Sequence, residues 1–189
     1  MKFLIVGLGN IGTEYAETRH NIGFDVLNYF SQKHESPFAS ERLADVCTIK
    51  FKGKILKLIK PSTFMNLSGK SMKYWLDKEK ISIENSLVIV DDLAFDLHTI
   101  KIKKDGSDAG HNGLKSIQES IGTQTYPRVR FGIGSNFNKG KQVDFVLGKW
   151  ENHEIDIVNK KIIACSNIIE SFVSIGLERT MNMYNNQKY

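Results

Sequence analysis

The sequence predicts an α/β fold, a single domain over residues 1–189 in which helices flank a largely parallel or mixed β-sheet. Two continuous apolar runs, FLIVG at 3–7 and SLVIVDD at 86–92, are typical of strands that are buried on both faces. Segments with a helical apolar period alternate with further short strands, which is the pattern of an α/β protein. A chain of 189 residues is long enough for one such domain with a full core.

The individual elements follow from apolar periodicity and from turn residues. Helices are predicted over residues 20–33, 69–79, 111–122 and 151–175. Strands are predicted over 3–7, 86–92, 99–104, 128–134 and 144–150, and as a hairpin over 45–61 that turns at Lys52 and Gly53. The polar stretch 31–45 is predicted to be a connection. The last helix predicts one core-facing stripe, formed by Ile155, Val158, Ile162, Cys165, Ile169 and Phe172.

Composition and charge exclude several classes of protein. Hydrophobic residues make up 41% of the chain and charged residues 25%, as in an ordinary soluble globular protein. No apolar run reaches the roughly 20 residues of a membrane helix, and the N-terminal run is too short for a signal peptide. Cys47 and Cys165 have no CxxC spacing, so we expect reduced thiols in a cytoplasmic protein. The net charge of +5 indicates a mild bias towards polyanionic partners.

The first strand is followed by GLGNIG, which places Gly7, Gly9 and Gly12 in the G-x-G-x-x-G spacing of dinucleotide-binding proteins. In those proteins a helix starts within the motif and its N-terminus faces the pyrophosphate. Here the first convincing helix begins near Asn21, and the place of the usual acidic strand end is taken by YFSQKHE. The glycines therefore predict an open loop beyond a strand end, and they weaken the case for a nucleotide-dependent oxidoreductase.

The groups that could carry chemistry lie in short polar segments at predicted strand-to-helix junctions. The histidines show no HExxH or Cys/His spacing for a metal, and no G-x-S-x-G marks a serine nucleophile. Each candidate alone is common in a structural role, for example an Asn as a helix cap. Several such segments after apolar runs favour one shared site. The candidates are Asn10, His20, Asn66, Asp91, His111 and Asn112.

These residue types together indicate attack by water on an activated acyl bond. An imidazole, with a reference pKa of about 6.5, can accept a proton from water near neutral pH. A carboxylate on its far nitrogen fixes the tautomer and stabilises the imidazolium. Carboxamide groups can donate to a carbonyl oxygen that becomes an oxyanion. An ester suits this set better than an amide, because its leaving group needs less help.

Seven segments in this order resemble the bacterial-type peptidyl-tRNA hydrolase family over nearly the whole chain. They are FLIVGLGNIGTEYAETRHNIGF, KPSTFMNLSGKS, VIVDD, GSDAGHNGLKSI, YPRVRFGIG, DFVLGKW and MNMYN. The resemblance implies a single α/β globule with a twisted mixed sheet, and hydrolysis of the ester between a peptide and the 3′ end of tRNA, which frees the tRNA for reuse. It implies peptidyl-tRNA as the partner, no cofactor and no metal. We expect a monomer, because no partner face is evident beyond the core stripe.

The resemblance assigns catalytic roles to His20, Asp91 and Asn10. His20 would be the general base for the attacking water, Asp91 would orient its imidazole, and Asn10 would hold the 3′-terminal ribose and the ester. We therefore expect Asp91→Asn to reduce turnover less than the loss of His20 does. Asn66 and Asn112 would contact the peptide backbone and the water or oxyanion. Tyr15, Phe64, Met65 and His111 would line the cleft.

The resemblance also assigns phosphate contacts to Lys101, Lys103 and Arg130. A period of two places Lys101 and Lys103 on one strand face, and does the same for Arg128 and Arg130, which agrees with this assignment.

Two loops depart from the family pattern. LAFDLHTI stands where the family has Leu-Asp-Leu-Pro and a Gly turn, and GSDAG, with Asp108, stands where it has GSAGG. A non-catalytic RNA-binding module is the alternative function, since it would explain the basic charge, but it leaves the His, Asp and Asn residues without a role. Release of free tRNA from peptidyl-tRNA without added metal or nucleotide discriminates the two.

Overall fold

Seven strands form one sheet through the middle of the molecule in the computed structural model, which describes residues 1–189. Their order across the sheet is β2-β3-β4-β1-β5-β7-β6. The four inner strands β4, β1, β5 and β7 are parallel, whereas β2, β3 and β6 pair antiparallel with their neighbours. The predicted mixed sheet is therefore confirmed. The strands are β1 (Lys2–Gly7), β2 (Ala39–Glu41), β3 (Ala44–Phe51), β4 (Lys54–Pro61), β5 (Ser86–Asp92), β6 (Ile100–Asp105) and β7 (Thr125–Gly132).

Helices cover both faces of the sheet, and a separate apolar cluster fills each side. The helices are α1 (Ile22–Lys33), α2 (Ser68–Glu79), α3 (Asn112–Ile121), α4 (Gln142–Val146), α5 (Ile155–Ile175) and α6 (Leu177–Tyr184). α1 and α5 pack on one face, and α2 and α3 on the other. In β1, Phe3 and Ile5 enter the first cluster while Leu4 and Val6 enter the second. The continuous apolar run of β1 is thus explained by burial on both faces.

The predicted strand over 144–150 is wrong. Its first residues belong to α4, and the only strand-like pairing of the remainder is an isolated bridge between Thr18 and Lys149, outside the sheet. A short apolar run does not distinguish a strand from a short helix, and β2 and β6 already occupy both edges of the sheet. The stretch 31–45 is not a plain connection, because it holds the end of α1 and the strand β2. In the stripe of α5, Ile155 is 42% exposed.

The glycines after β1 allow a close contact between a strand and a helix. A Cβ on Gly7 would lie 2.3 Å from the carbonyl oxygen of Gly23, and a Cβ on Gly23 would lie 2.3 Å from the backbone nitrogen of Leu8. The first turn of α1 therefore touches the end of β1 directly. Two 3₁₀ turns, Thr13–Tyr15 and Arg19–Asn21, separate the glycine motif from α1. No helix begins within the motif, as the sequence predicts.

The carboxyl ends of the parallel strands bring the polar segments to one edge of the sheet. Asn10 follows β1, Asp91 lies near the end of β5, and Met65 follows β4 by a short turn. Ligands of parallel sheets bind at this edge, so the fold predicts that the site lies here. None of the helices has the length and apolar content required to span a bilayer.

Candidate active site

His20 and Asp91 form the predicted pair. His20 lies on the 3₁₀ turn that precedes α1, and Asp91 projects from the buried strand β5. The Nδ1 atom of His20 lies 2.9 Å from Oδ2 of Asp91 and 3.1 Å from Oδ1. The carboxylate is almost fully covered, with 2% of its side chain exposed, while 13% of the His20 side chain reaches solvent. The imidazole therefore stands between a buried carboxylate and the surface.

A second histidine shares the same carboxylate. Nε2 of His111 lies 2.9 Å from Oδ1 of Asp91. His111 is also the N-cap of α3, where its Nδ1 accepts from the backbone N–H groups of Gly113 at 3.1 Å and Leu114 at 3.4 Å. Because Nδ1 accepts, the proton of this imidazole must lie on Nε2, and it is donated to Asp91. The cap of a helix thus fixes the tautomer of His111.

The pair of imidazoles determines the charge of Asp91. Burial opposes ionisation, but the two imidazoles and their hydrogen bonds outweigh it and hold the pKa of Asp91 well below its usual range. Burial also opposes a charged His20, yet the Asp91 carboxylate outweighs it and raises the pKa of His20. With Nδ1–H of His20 donated to Asp91, the Nε2 lone pair of His20 is left to accept a proton. The arrangement can therefore activate a water molecule.

Asn10 is fixed by hydrogen bonds to Met65 and to Asn21, the residue after His20. Its Oδ1 accepts from the backbone N–H of Met65 at 2.8 Å. Its backbone N–H and carbonyl are both bonded to the side chain of Asn21, at 2.9 Å each. These bonds fix the carboxamide so that its Nδ2 remains available as a donor. Asn21 directly follows His20, so the two residues belong to one turn.

A cleft of about 400 Å³ opens above Asp91. Five of the sequence-predicted residues line it, namely His20, Asp91, His111, Asn112 and Arg130. Phe137, Val143 and Val146 add apolar surface, and no serine, threonine or cysteine lines the cleft. Asn10 lies in a neighbouring depression of about 360 Å³. A larger hollow of about 690 Å³ between α1 and α5 contains none of the predicted catalytic, substrate-binding or phosphate-binding residues.

Four of the predicted contact residues, Tyr15, Phe64, Met65 and Asn66, do not line this cleft. Phe64 is 52% exposed, and Asn66 and Asn112 are also exposed at the starts of their turn and helix. Met65 is buried in the core against Gly113, so it presents its backbone and not its side chain. Tyr15 is half-buried on its own 3₁₀ turn. The structure therefore brings the Met65 turn and the start of α3 together. This places Asn66 and Asn112 on the same side of the molecule.

The face of β6 and β7 that carries the predicted phosphate-binding residues has fewer exposed cations than the sequence pattern suggests. The register of β6 and β7 pairs Lys101 with Arg130 and Lys103 with Arg128, so all four share one face. Arg128, which the sequence places on this face without assigning it a phosphate contact, is 1% exposed and donates to the carbonyls of Gly106 and Gln124. The face exposed for an anion therefore depends on the other three side chains.

Lys101, Lys103 and Arg130 differ in how far their charged groups are already bound by other groups of the protein. Lys101 donates to the carbonyl of Asn185 at 3.1 Å. Arg130 forms an ion pair with Asp92, and its guanidinium lies 5.5 Å from the centre of the Phe95 ring. Lys103 is half-buried and has no carboxylate within ion-pair distance.

The donor chemistry of the site suits protons better than a metal ion. The ligand atoms of His20, Asp91 and His111 lie within 4.8 Å of one another. To bind a metal through Nε2, His111 would need its proton on Nδ1, where two backbone N–H groups already donate. The cap of α3 therefore opposes metal binding at this place.

The sequence did not single out the second hydrogen bond to Asp91, nor Asn21. The signal for His111 was its place directly before an apolar helical period, which is an N-cap position. Asn21 gave no signal beyond its position next to His20.

The fold and the cleft define an α/β enzyme with a buried carboxylate, two imidazoles and no side-chain nucleophile at the carboxyl edge of a mixed sheet. The family model described as peptidyl-tRNA hydrolase matches residues 4–189. The chain belongs to this family and is an enzyme of this hydrolase class.

Individual relatives agree with this assignment. A peptidyl-tRNA hydrolase of Phocaeicola vulgatus is 49% identical over 185 residues, which cover 98% of this chain and 99% of that protein. The protein of the same name from Bacteroides fragilis is 50% identical over 185 residues, with the same coverage. The crystal structure of peptidyl-tRNA hydrolase from Acinetobacter baumannii matches with a TM-score of 0.93 at 31% identity and covers 98% of this chain and 95% of that one. The fold is therefore the fold of that family.

Proposed function

We propose that the enzyme hydrolyses the ester between a peptide and the 3′ end of tRNA, with His20 as the general base. The observation that supports this most directly is the hydrogen bond of 2.9 Å between His20 and Asp91. It places the proton of the ring on Nδ1 and leaves Nε2 facing the cleft as a base. The family to which the chain belongs supplies the substrate class.

The reaction begins when Nε2 of His20 takes a proton from water. The hydroxyl oxygen forms a bond to the ester carbonyl carbon, and the carbonyl oxygen becomes an oxyanion that a carboxamide N–H can bind. When the intermediate collapses, the bond to the 3′ oxygen of the ribose breaks and the imidazolium returns the proton to that oxygen. The products are a peptide acid and a tRNA with a free 3′ end, which can be charged again.

The asparagines and cations position the two halves of the substrate. Asn10, bonded to Asn21 on the turn that carries His20, is suited to the ribose and ester. The exposed amides of Asn66 and Asn112 are suited to the peptide backbone, with Tyr15, Phe64, Met65 and His111 around them. Lys101, Lys103 and Arg130 are suited to tRNA phosphates. In this proposal the enzyme acts as a monomer in the cytoplasm and needs neither a metal nor a cofactor.

The test is the release of free tRNA from N-acetyl-aminoacyl-tRNA in the presence of a metal chelator. We expect turnover by the native enzyme and a loss of about 10²–10⁴-fold in His20→Ala, since that is the usual contribution of a general base. His153→Asn is the matched control, because His153 is 77% exposed and remote from the cleft. Equal loss in both variants, or activity that disappears with the chelator, would refute the proposal. Binding of tRNA without any hydrolysis would favour an RNA-binding module instead.

A further inference from the structure

Arg19, the residue before His20, is a buried cation whose partners lie in the segment after α4. Its side chain is 5% exposed, and its guanidinium donates to the Glu154 carboxylate at 2.7 Å. The same guanidinium donates to the Lys149 carbonyl at 2.7 Å, and the backbone N–H of Arg19 donates to the Gly148 carbonyl at 3.0 Å. The turn that carries His20 is thus tied to this segment by one residue.

The segment is shaped around the guanidinium. The centre of the guanidinium lies 4.4 Å from the Phe145 ring centre and 5.2 Å from the Trp150 ring centre. A Cβ on Gly148 would lie 3.2 Å from Nη1 of Arg19, so a larger residue would crowd the cation. Glu154 also accepts from the backbone N–H of Glu151 at 2.8 Å, which holds its carboxylate in place. We call this group of residues, 145, 148–150 and 154, the Arg19 socket.

The socket continues directly from a wall of the cleft. α4 contributes Gln142, Val143 and Val146 to the lining, and it has no buried residue of its own. A short helix with so little buried apolar surface is held weakly by packing alone. Only Phe145 and Val146 of α4 pack, half-buried, against the apolar cluster of α1 and α5, so the socket at its C-terminal end supplies much of its attachment.

We propose that Arg19, neutralised by Glu154, is a positioning residue that holds the α4 wall against the turn of the catalytic base and thereby sets the affinity for substrate. The inference rests on the proposed function, because the wall borders the cleft in which the ester would bind. Arg19 is not among the residues that line the cleft, and its side chain contacts the socket, so its effect on the cleft passes through α4.

The same geometry separates binding from chemistry. The ring of His20 is fixed by Asp91 on β5, and neither atom of that bond belongs to the socket. Loosening the socket therefore displaces α4 while the base keeps its orientation. A change of this kind raises KM and leaves kcat nearly unchanged.

Glu154→Gln is the sharpest variant, because it keeps the size of the side chain and removes the charge that compensates Arg19. We expect KM for N-acetyl-aminoacyl-tRNA to rise on the order of 10-fold, with kcat per folded molecule and the pH–rate profile unchanged. Glu170→Gln is the matched control. It is the same substitution in α5 and breaks the ion pair with Lys33 at 2.6 Å, which lies between α1 and α5 and outside the cleft lining. We expect no change in its KM.

Amide hydrogen exchange provides the second readout. In Glu154→Gln, exchange should accelerate over residues 142–148 and not over α1 or β5. A purely structural role would lower the folded fraction and the apparent kcat while KM stays constant, and that result would overturn the inference. A shifted pH–rate profile with constant KM would also overturn it, because the socket would then act on the base. If the native enzyme hydrolyses no ester, the proposed function fails, whereas unchanged KM in an active Glu154→Gln enzyme refutes only this inference.

Discussion

Replacement of Asp91 by Asn tests the hydrogen-bond arrangement of the site directly. Asp91 accepts a hydrogen bond from each of two imidazoles, at 2.9 Å in both cases, through Oδ2 from His20 and through Oδ1 from His111. An Asn side chain keeps only one of the two oxygens, and an Nδ2–H donor replaces the other. His111 cannot exchange its tautomer, because its Nδ1 accepts from the backbone N–H groups that start α3. The Oδ1 atom of the new Asn must therefore face His111.

The consequence falls on His20. The Nδ2–H group of the new Asn takes the place of Oδ2, 2.9 Å from Nδ1 of His20, whereas Oδ1 lies 3.1 Å away and already accepts from His111. The nearer Nδ2–H donor favours the tautomer in which Nδ1 accepts and the ring proton lies on Nε2. That atom is the proposed base, and it is then already protonated. The same tautomer reversal in serine hydrolases costs about 10⁴-fold in kcat. Here the loss is limited to what the base contributes, about 10²–10⁴-fold, or roughly 3–5.5 kcal/mol of transition-state stabilisation. Asp91→Asn should therefore reduce turnover as much as His20→Ala does. The sequence alone led us to expect a smaller reduction.

A second substitution should reverse the effect. In the double variant Asp91→Asn with His111→Asn, the residue at 111 can still cap α3, since Asn is a favoured N-cap. The new Asn at 91 is then free to turn its oxygen towards Nδ1–H of His20, which restores the productive tautomer. We expect the double variant to be about 10-fold more active than Asp91→Asn alone, because two residues in one network are not additive.

The assay is single-turnover hydrolysis of N-acetyl-aminoacyl-tRNA, with thermal unfolding to confirm that each variant is folded. His111→Asn alone is the control and should lose far less than Asp91→Asn. The reasoning is refuted if Asp91→Asn keeps more than about a tenth of the native turnover, or if the double variant is no more active than Asp91→Asn alone.

Further predictions concern tRNA binding and pH. Lys103→Ala should lower the slope of log affinity for tRNA against log salt by about 0.7. Lys101→Ala should lower this slope less, because Lys101 already donates to the carbonyl of Asn185. Equal slopes in the two variants would contradict this expectation. Lys161 is fully buried and its burial lowers its pKa to about 7, so the unfolded chain binds more protons between about pH 7 and 10. The free energy of unfolding should then rise with pH over that interval in the native protein and less steeply in Lys161→Met, as urea titrations at pH 7 and 9.5 would measure. Burial, with Glu17 nearby, raises the pKa of Asp25 to about 7. The contribution of Asp25 to the free energy of unfolding therefore falls as the pH rises from about 4 to 7. Asp25→Asn should therefore be the more stable protein at pH 8, and equal stability there would show that Asp25 ionises freely.

The sequence predicted the elements whose pattern is set by burial on both faces. β1 and β5 were evident because their apolar runs are continuous and each run fills both cores. The turn at Lys52 and Gly53 was evident because it closes a hairpin, and both residues have a positive φ there. His20 and Asp91 were accessible as candidates because both residues follow or end elements at the carboxyl edge of a parallel sheet, and the family resemblance implied that they pair.

The sequence could not predict features that depend on which distant segments meet. The short apolar pattern of residues 144–150 predicts a strand. Only the folded protein shows that Phe145 and Trp150 of this segment enclose Arg19. Arg128 lies on the predicted face, but the carbonyls of Gly106 and Gln124 close over it. Periodicity gives the direction of a side chain and does not show what covers it.

The second histidine explains why Asp91 can serve the base without losing its charge to another partner. A protonated His111 would place an N–H group on Nδ1 against two backbone N–H groups at the positive end of α3. Nδ1 of His111 is therefore kept as an acceptor, and its Nε2–H supplies one hydrogen bond that offsets the burial of the carboxylate. In the proposed mechanism, the charge of Asp91 remains available when His20 becomes an imidazolium. The backbone of α3 thus acts on the catalytic proton through two side chains, and the loss of the cap should change the chemistry more than it changes the helix.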